Sequence, residues 1–246
     1  MKKTTTAVLL FMMAIIGNSY ANDIYIDQVG DTLDLDIVQD GANNVFGTST
    51  TDVTLEGANM TFSVTQTGNS NTIAAVIKGS TYTGTWAFTG NSNTVDLKCS
   101  SNSTGNCDTV TLNVTTTGDS NTFDFDIGET ASADNSTVAF TLTGDKSDVV
   151  AAIDGVSVAA TVTIDNSTSL ATTSTDNDEG NVVTLDIDGN GDVNGHTVTL
   201  DITGGGSTYD VTQSGVNDAM VDADFDGDSQ DVAVSYTHLT LPTRSY

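Results

Sequence analysis

Four glycines in the first half of the chain follow one another at a constant spacing of eleven residues: Gly57, Gly68, Gly79 and Gly90. The residues two, four and six positions before each glycine are mostly apolar or glutamine, as Gln66, Val64 and Phe62 are before Gly68. Alternation with a period of two predicts a strand with one buried face. Repetition of such a strand at a fixed spacing predicts a stacked repeat architecture instead of an ordinary globular core.

The strand–turn unit can be followed from Gly30 to Gly227 as sixteen units, each ending at a glycine or at a residue that takes its place. Two 11-residue units make one rung, so the sequence predicts an all-β, two-sheet β-solenoid of about eight 22-residue rungs over residues 22–233. Segments rich in Ser, Thr, Asn and Asp interrupt the repeat, and we expect them to form surface loops on one continuous solenoid. These predicted inserts are 42–52, 100–109, 130–137, 167–182 and 190–197.

Every second corner of a two-unit rung stacks in one column, which gives the prediction an internal test. Three residues past alternate anchors, this column is uniformly amide or hydroxyl: Asn44, Asn71, Asn93, Asn121, Ser147, Ser169, Ser207 and Gln230. Such a column favours an asparagine ladder whose side-chain amides bond along the stack. Gln39 and Gln66 are expected to be neighbours on one sheet. The corner glycines that accompany this ladder are Gly41, Gly57, Gly68, Gly79 and Gly90.

The two ends of the chain depart from the repeat. A basic start, an apolar run over residues 7–16 and a small-residue cleavage site at Ala21 are typical of a secretory signal peptide, which we expect to be residues 1–21. The mature chain is therefore expected to be secreted, to the extracellular space or the cell surface. Residues 234–246 resemble a translated sequencing-library adapter, and we expect them to be a non-native tail.

The charge of the chain excludes two classes of partner. The formal net charge is −27, and residues 22–233 alone carry three lysines against 33 carboxylates. Such a surface repels nucleic acid and anionic membranes. No hydrophobic segment beyond the predicted signal peptide is long enough for membrane insertion.

The sequence offers no catalytic set, so no enzymatic activity is expected. Residues 22–233 contain one histidine, no arginine and two cysteines. The histidine, His196, falls in a predicted loop and is interpreted as a solvated turn residue. Cys99 and Cys107 flank a short polar segment, and in an exported chain they are expected to form a disulfide.

One acidic segment resembles a calcium-binding loop. Oxygen ligands occupy alternate positions and a glycine stands at the sixth position, as in an EF-hand loop. Thr197 occupies the position of the bidentate glutamate, and the alternative is a solvated strand face followed by its glycine turn. Ca²⁺ is the only cofactor that the sequence indicates. Its candidate ligands are Asp186, Asp188, Asn190 and Asp192.

The segments Gln39 to Asn44 and Gln66 to Asn71 both read Gln-x-Gly-x-x-Asn, and Gln28 precedes Gln39 by eleven residues. They resemble curlin repeats, the units of curli-type bacterial fibre subunits. The resemblance implies a secreted subunit that forms extracellular amyloid fibres for adhesion and biofilm matrix. It also implies end-to-end self-association or assembly with sister subunits, and export through an outer-membrane secretion channel. Gln213 and Gly215 match the motif in part, and the other repeats replace the glutamine by Ile, Leu, Phe or Thr.

Two other functions are compatible with the same fold. A capped solenoid would remain monomeric and act as an adhesin or surface-binding module, with or without calcium. An ice-binding solenoid is the third hypothesis, because outward Thr-x-Thr pairs recur along the chain. These pairs do not keep one register relative to their glycines, which counts against that hypothesis, and threonine is a common strand former. The pairs are Thr109/Thr111, Thr141/Thr143, Thr161/Thr163 and Thr197/Thr199.

Overall fold

The structure is a computed structural model, and it confirms the predicted fold class. It describes residues 23–48, 50, 53–90, 92–99, 107–118, 120–128, 135–144, 147–155, 157–165, 181–189, 195–204, 206–215, 219–227 and 230–236. Of these residues, 81 % lie in strands and none in a helix, and the strands form a parallel two-sheet β-solenoid. No helix in this part of the chain is long and apolar enough to cross a membrane.

Nineteen strands form the two sheets in the described part of the chain, and from β5 onward successive strands alternate between the sheets. In chain order they are β1 (Asp23–Ile24), β2 (Asp27–Val29), β3 (Asp34–Asp40), β4 (Asn44–Phe46), β5 (Val53–Glu56), β6 (Met60–Thr67), β7 (Ser70–Lys78), β8 (Thr81–Thr89), β9 (Ser92–Cys99), β10 (Thr109–Thr117), β11 (Ser120–Ile127), β12 (Asn135–Thr143), β13 (Ser147–Gly155), β14 (Ser157–Asp165), β15 (Val182–Gly189), β16 (His196–Thr203), β17 (Thr208–Ser214), β18 (Ala219–Asp226) and β19 (Asp231–Tyr236).

The eight-stranded sheet runs in the order β3-β6-β8-β10-β12-β14-β16-β18, and the eleven-stranded sheet runs from β1 and β2 to β19. The solenoid has about six turns, fewer than the eight rungs predicted. Only β7 to β18 give turns with one uninterrupted strand in each sheet. In the first two layers the strand of the eleven-stranded sheet is divided, into β1 with β2 and into β4 with β5.

Glycine occupies the corners because consecutive layers approach closely there. A Cβ atom added to Gly68 would overlap the carbonyl oxygen of Gly41, and one added to Gly90 would overlap that of Gly68. Gly41 also has a φ of 147°, which side-chain-bearing residues rarely adopt. The N–H of Gly68 donates to the carbonyl of Thr89 in the next layer, at 2.8 Å. The eleven-residue glycine spacing therefore separates consecutive corners, and corners that stack on one another are two units apart, as Gly68 and Gly90 are.

The core lies between the two sheets and is built from every second residue of each strand. Side chains in β6 alternate strictly between buried and more exposed positions, as the period-two pattern predicts. Phe62 packs edge-on against Trp86 of the next layer, with ring centroids 5.5 Å apart. The Trp86 indole N–H donates to the carbonyl of Phe62 at 3.2 Å, which satisfies its only polar group within the buried core.

Four predicted inserts extend too far in the C-terminal direction, because β10, β12, β15 and β16 already begin at Thr109, Asn135, Val182 and His196. The fifth predicted insert, 42–52, contains the short strand β4. Composition gave the wrong boundary because Thr, Ser and Asn on the outer strand faces look like loop residues. Much of each remaining insert lies outside the described residues.

Of the two predicted terminal segments, only the C-terminal one lies partly within the described residues. Residues 1–21, the expected signal peptide, lie outside the described residues. Residues 234–236 of the expected non-native tail form the end of β19, where Val234 pairs with Val211 and Tyr236 with Gln213. Residues 237–246 are outside the described part of the chain.

Replacement of a stacked corner glycine is expected to be strongly destabilising. Gly90→Ala should lower the free energy of unfolding by about 3 kcal/mol, because its methyl group overlaps backbone that cannot move without separating two layers. Urea denaturation followed by circular dichroism measures this loss. Gly206→Ala is the control, since its Cβ would meet no atom within 4 Å. Its φ of 71° alone costs about 1 kcal/mol. Equal losses in the two variants would contradict the close-approach argument.

Candidate functional site: a buried amide ladder and two outer faces

Four asparagines form a continuous chain of side-chain hydrogen bonds across four layers. The Asn44 amide donates to Asn71 Oδ1 at 3.0 Å, Asn71 donates to Asn93 at 2.7 Å, and Asn93 donates to Asn121 at 2.7 Å. The Asn121 amide then donates to Ser147 Oγ at 3.3 Å. All of these side chains are buried. The structure therefore brings together the four asparagines that the sequence placed in one column.

The same amides also satisfy the carbonyl groups of the corners. Asn93 Nδ2 donates to the carbonyl of Gly90 at 3.1 Å, and Asn121 Nδ2 donates to that of Gly118 at 2.9 Å. Each pair is separated by three residues, which accounts for the Gly-x-x-Asn spacing. A buried carbonyl without a hydrogen bond would cost about 1–3 kcal/mol. Each asparagine thus closes its own corner and binds the next layer at the same time.

The ladder continues beyond Ser147 through a residue that the sequence pattern missed. The backbone N–H of Ser147 donates to Asn181 Oδ1 at 3.0 Å, and the N–H of Asn181 donates to Ser207 Oγ at 3.1 Å. Asn181 is fully buried, whereas the predicted member Ser169 lies outside the described residues. Asn181 stands two residues before the first inward residue, Val183. That spacing also holds for Asn71 and Ile73, and it could have identified the position.

The two predicted glutamine neighbours are also in contact. Gln39 pairs with Gln66 in register between β3 and β6, and the Gln66 amide donates to Gln39 Oε1 at 2.6 Å. The Gln39 amide donates in turn to the carbonyl of Val45 across the corner, at 3.1 Å. The next position of the column is Phe88, so the glutamine ladder ends after two layers and the hydrophobic core replaces it.

Cys99 and Cys107 form a disulfide with their Cα atoms 5.9 Å apart. Cys99 ends β9, and Cys107 lies two residues before β10 begins. Both cysteines are buried in the core cluster, which places the base of this insert against the stack. The disulfide therefore holds the end of β9 close to the start of β10 across the insert.

His196 is a core residue, and its interpretation as a solvated turn residue is wrong. It begins β16 with no solvent exposure, and its Nδ1 accepts a hydrogen bond from the N–H of Val158 at 3.2 Å. Burial lowers the pKa of His196 below its ordinary value, although Asp188 and the backbone of Ser214 act in the opposite direction. The lowered pKa favours a neutral imidazole, whose unprotonated Nδ1 can accept the hydrogen bond from Val158. The sequence placed His196 in an insert because the start of β16 was misplaced.

The candidate calcium ligands are only partly described. Asp186 and Asp188 point outward from β15, and Asp188 Oδ1 accepts a hydrogen bond from Ser214 Oγ at 2.6 Å. Asn190 and Asp192 lie outside the described residues. Within the described ranges there is no group of three or more His, Cys, Asp or Glu side chains that could hold a metal ion.

Carboxylates gather on the outer face of the eleven-stranded sheet. Asp124 lies beside Asp96 of the neighbouring strand, and Asp126 follows it on the same face. Burial raises the pKa of Asp124 above its ordinary value, and repulsion from Asp126, Asp96 and Asp148 adds to this effect, while Lys98 opposes it. Lys98 lies 3.6 Å from Asp96, close enough for an ion pair. The face is thus incompletely neutralised.

Removal of one amide from the ladder is expected to destabilise the whole stack. Asn93→Ala leaves the Asn71 amide and the Asn121 carbonyl oxygen with lost partners inside the protein, so the free energy of unfolding should fall by about 3 kcal/mol. Urea titration provides the measurement. Thr94→Ala, one residue later on the outer face, should change stability by less than about 0.5 kcal/mol. A loss as small as the control's would show that the ladder does not stabilise the fold.

Asp124→Asn is expected to stabilise the protein at neutral pH. Because the pKa of Asp124 is raised in the folded state, the folded protein binds this proton more tightly than the unfolded chain does. The stabilising effect of protonation is therefore complete below the ordinary value of 3.8 and is lost as the pH rises through the folded-state pKa. Thermal denaturation from acidic to neutral pH should show the variant gaining stability relative to wild type. Thr122→Asn, on the same face, should show no such pH dependence.

Comparison with known proteins identifies no relative from which a function could be transferred. No protein-family model matches the chain, and no curated protein and no solved structure matches it. The functional argument therefore rests on the ladder, the ends of the two sheets and the outer faces.

Proposed function

We propose that this chain is a secreted, curlin-like structural subunit that assembles end to end into extracellular fibres for adhesion and biofilm matrix. The observation that supports the proposal is the continuous stack of parallel strands, in which four consecutive layers are joined by the same bond between buried asparagine amides. Such a stack can be extended by another molecule without any change in its geometry. Copies of this chain or sister subunits would serve equally well as the next layer.

The N-terminal end of the stack offers strand edges and incompletely covered apolar side chains. Within the described residues, β3 pairs with β6 on one side only. Leu35 and Ile37 of β3 are only partly buried, whereas the equivalent residues of β6, Phe62 and Val64, are buried. A further layer would cover this apolar surface and pair the exposed backbone groups.

The C-terminal end of the stack also has an unpaired strand edge and partly exposed apolar side chains. In the described part of the chain, β18 and β19 are the last strands of their sheets. Val221 and Phe225 pack against the core but remain partly exposed. Head-to-tail contact of β18 with β3 of another copy would continue the eight-stranded sheet. This arrangement would bury both incomplete ends in one contact.

Charge opposes this contact and makes it dependent on salt. The outward side chains of the two terminal strands of the eight-stranded sheet include three aspartates each, and strands of adjacent copies would lie about 4.8 Å apart. Like charges on opposing strands are destabilising. Ions screen the repulsion, so assembly should be slow at low ionic strength. These residues are Asp34, Asp36 and Asp40 in β3, and Asp222, Asp224 and Asp226 in β18.

Export is part of the same proposal. Residues 1–21 have a basic start, an apolar run and a small-residue cleavage site, and as a signal peptide they would direct the chain out of the cell. The Gln-x-Gly-x-x-Asn units are the features on which a resemblance to curlin subunits rests, and an outer-membrane secretion channel is the partner that this resemblance implies. Cys99 and Cys107 would form their disulfide in an oxidising compartment.

A proline in the exposed edge of β3 should block fibre growth without unfolding the subunit. Thr61 donates to the carbonyl of Leu33, and Gly41 donates to that of Thr67, so odd-numbered residues of β3 bond to β6. The N–H of Val38 therefore points toward the open edge, and its side chain is 76 % exposed. Val38→Pro should slow or abolish fibre formation, because proline cannot donate the next hydrogen bond. Thioflavin fluorescence, electron microscopy and a cross-β reflection at about 4.8 Å measure the outcome.

Val38→Thr, which keeps the N–H and the β-branched side chain, is the control and should assemble like wild type. Circular dichroism must show the same folded spectrum for both variants. A wild-type chain that stays monomeric at high concentration and high salt would overturn the fibre proposal. That result would favour a monomeric surface-binding module instead. Equal assembly of the proline variant would show that the β3 edge is not the growing contact.

A further inference from the structure

The outer face of the eight-stranded sheet has an unusual composition. We consider five consecutive strands, β6, β8, β10, β12 and β14, and on each the last four side chains that point outward. These twenty positions hold fourteen threonines. The single charged residue among them is Asp165, in a chain whose net charge is −27. We call these outward side chains the threonine face. Its near neutrality distinguishes it from the rest of the surface.

The threonines stack in columns that run perpendicular to the strands. Strand pairing places Thr61, Thr83, Thr111 and Thr137 at equivalent positions of four neighbouring strands. The expectation that the Thr-x-Thr pairs keep no common register is confirmed, because individual pairs occupy different columns. Other threonines complete the column from Thr61 to Thr137.

A second unbroken column lies at the opposite side of the threonine face. It contains Thr67, Thr89, Thr117 and Thr143, again at equivalent positions of consecutive strands. Between the two columns, positions of Ser, Thr, Asn and Ala continue the same pattern. The face is thus a two-dimensional array of small side chains with hydroxyl and methyl groups.

Strand propensity alone does not account for this array. The other sheet has the same backbone geometry, yet the outward positions of β7, β9, β11 and β13 include only three threonines and seven lysines or aspartates. The two sheets belong to the same layers and were built by the same repeat. The difference between their outer faces therefore reflects a requirement placed on one face only.

The array has two fixed repeats. Strands lie about 4.8 Å apart, and alternate residues along a strand lie about 6.6 Å apart. Threonine is β-branched, so its rotamer is restricted and its hydroxyl and methyl groups are held in rows before any partner binds. Water that binds along these hydroxyl rows would take the repeats of the protein. A partner that fits must be periodic in two directions, electrically neutral and able to hydrogen bond.

We propose that the threonine face binds ice. Ice is a neutral, hydrogen-bonded lattice, and ordered water held between the threonine columns can become part of it. An anionic partner would be repelled by the net charge, and a cationic one would prefer the carboxylates of the other sheet. The threonine face has no outward aromatic side chain on which a sugar ring could stack. This activity is separate from fibre assembly, which uses the ends of the stack.

The test compares two matched substitutions in the full chain. Thr115→Tyr places a bulky, neutral, strand-compatible side chain in the middle of the threonine face, on β10. Thr122→Tyr places the same side chain on β11, on the outer face of the other sheet. Thermal hysteresis and inhibition of ice recrystallisation are measured for wild type and both variants. Circular dichroism and thermal denaturation verify that all three are folded.

Wild type and Thr122→Tyr are expected to show hysteresis and to slow recrystallisation, whereas Thr115→Tyr should lose both effects. An inactive wild-type protein would overturn the proposal. Activity that survives in Thr115→Tyr would overturn it as well, by showing that another surface contacts ice. Wild-type binding to crystalline cellulose or chitin without any effect on ice would assign the threonine face to a polysaccharide instead. Fibre formation should be the same in all three proteins, so failure here is distinguishable from failure of the fibre proposal.

Discussion

The hydrogen bond from one asparagine amide to the next asparagine, inside the corner of the stack, is the interaction on which the other features depend. Asn71 accepts from the layer before it, donates to Asn93, and donates to the backbone carbonyls of its own and the following corner. A shift of one layer by one residue would break all of these contacts at once. The ladder therefore fixes strand register, and strand register determines which residues form columns on both outer faces.

The repeat could be predicted from the sequence where glycine, inward alternation and asparagine occur together, as they do around Gly68 and Asn71. Each of these residues serves a backbone requirement that is local in sequence, and such requirements leave a fixed spacing. The number of turns differs from the prediction because the strand of the eleven-stranded sheet is divided in the first two layers, which spacing alone does not reveal. Asn181 and His196 were misplaced for a related reason: they follow inserts, whose lengths carry no information about where the next strand begins. The spacing from Asn181 to Val183 could have identified Asn181, whereas the place of His196 is fixed by pairing across the stack, which is a tertiary property.

The outer faces lie beyond what a single repeat can predict. The fold accepts any residue at an outward position as long as that residue can adopt a strand conformation, so Asp124 and Thr115 are equally compatible with it. Their different neighbourhoods become visible only when residues from separate layers are placed in columns. The eleven-stranded sheet then shows crowded carboxylates, with a raised pKa at Asp124, and the eight-stranded sheet shows rows of threonine. The apolar inner positions make the solenoid, and the outer positions are free to carry function.

The disulfide between Cys99 and Cys107 determines how far the sequence between these two cysteines can be altered without disturbing the fold. It holds together the two ends of an insert where β9 and β10 meet the corner, so the layers on either side remain in register whatever sequence lies between the cysteines. Closing a longer loop adds only a slowly growing entropic cost, about 0.6 kcal/mol for each doubling of its length. Foreign peptides could therefore be grafted between these two cysteines, which would turn the solenoid into a rigid carrier that holds both ends of the displayed peptide.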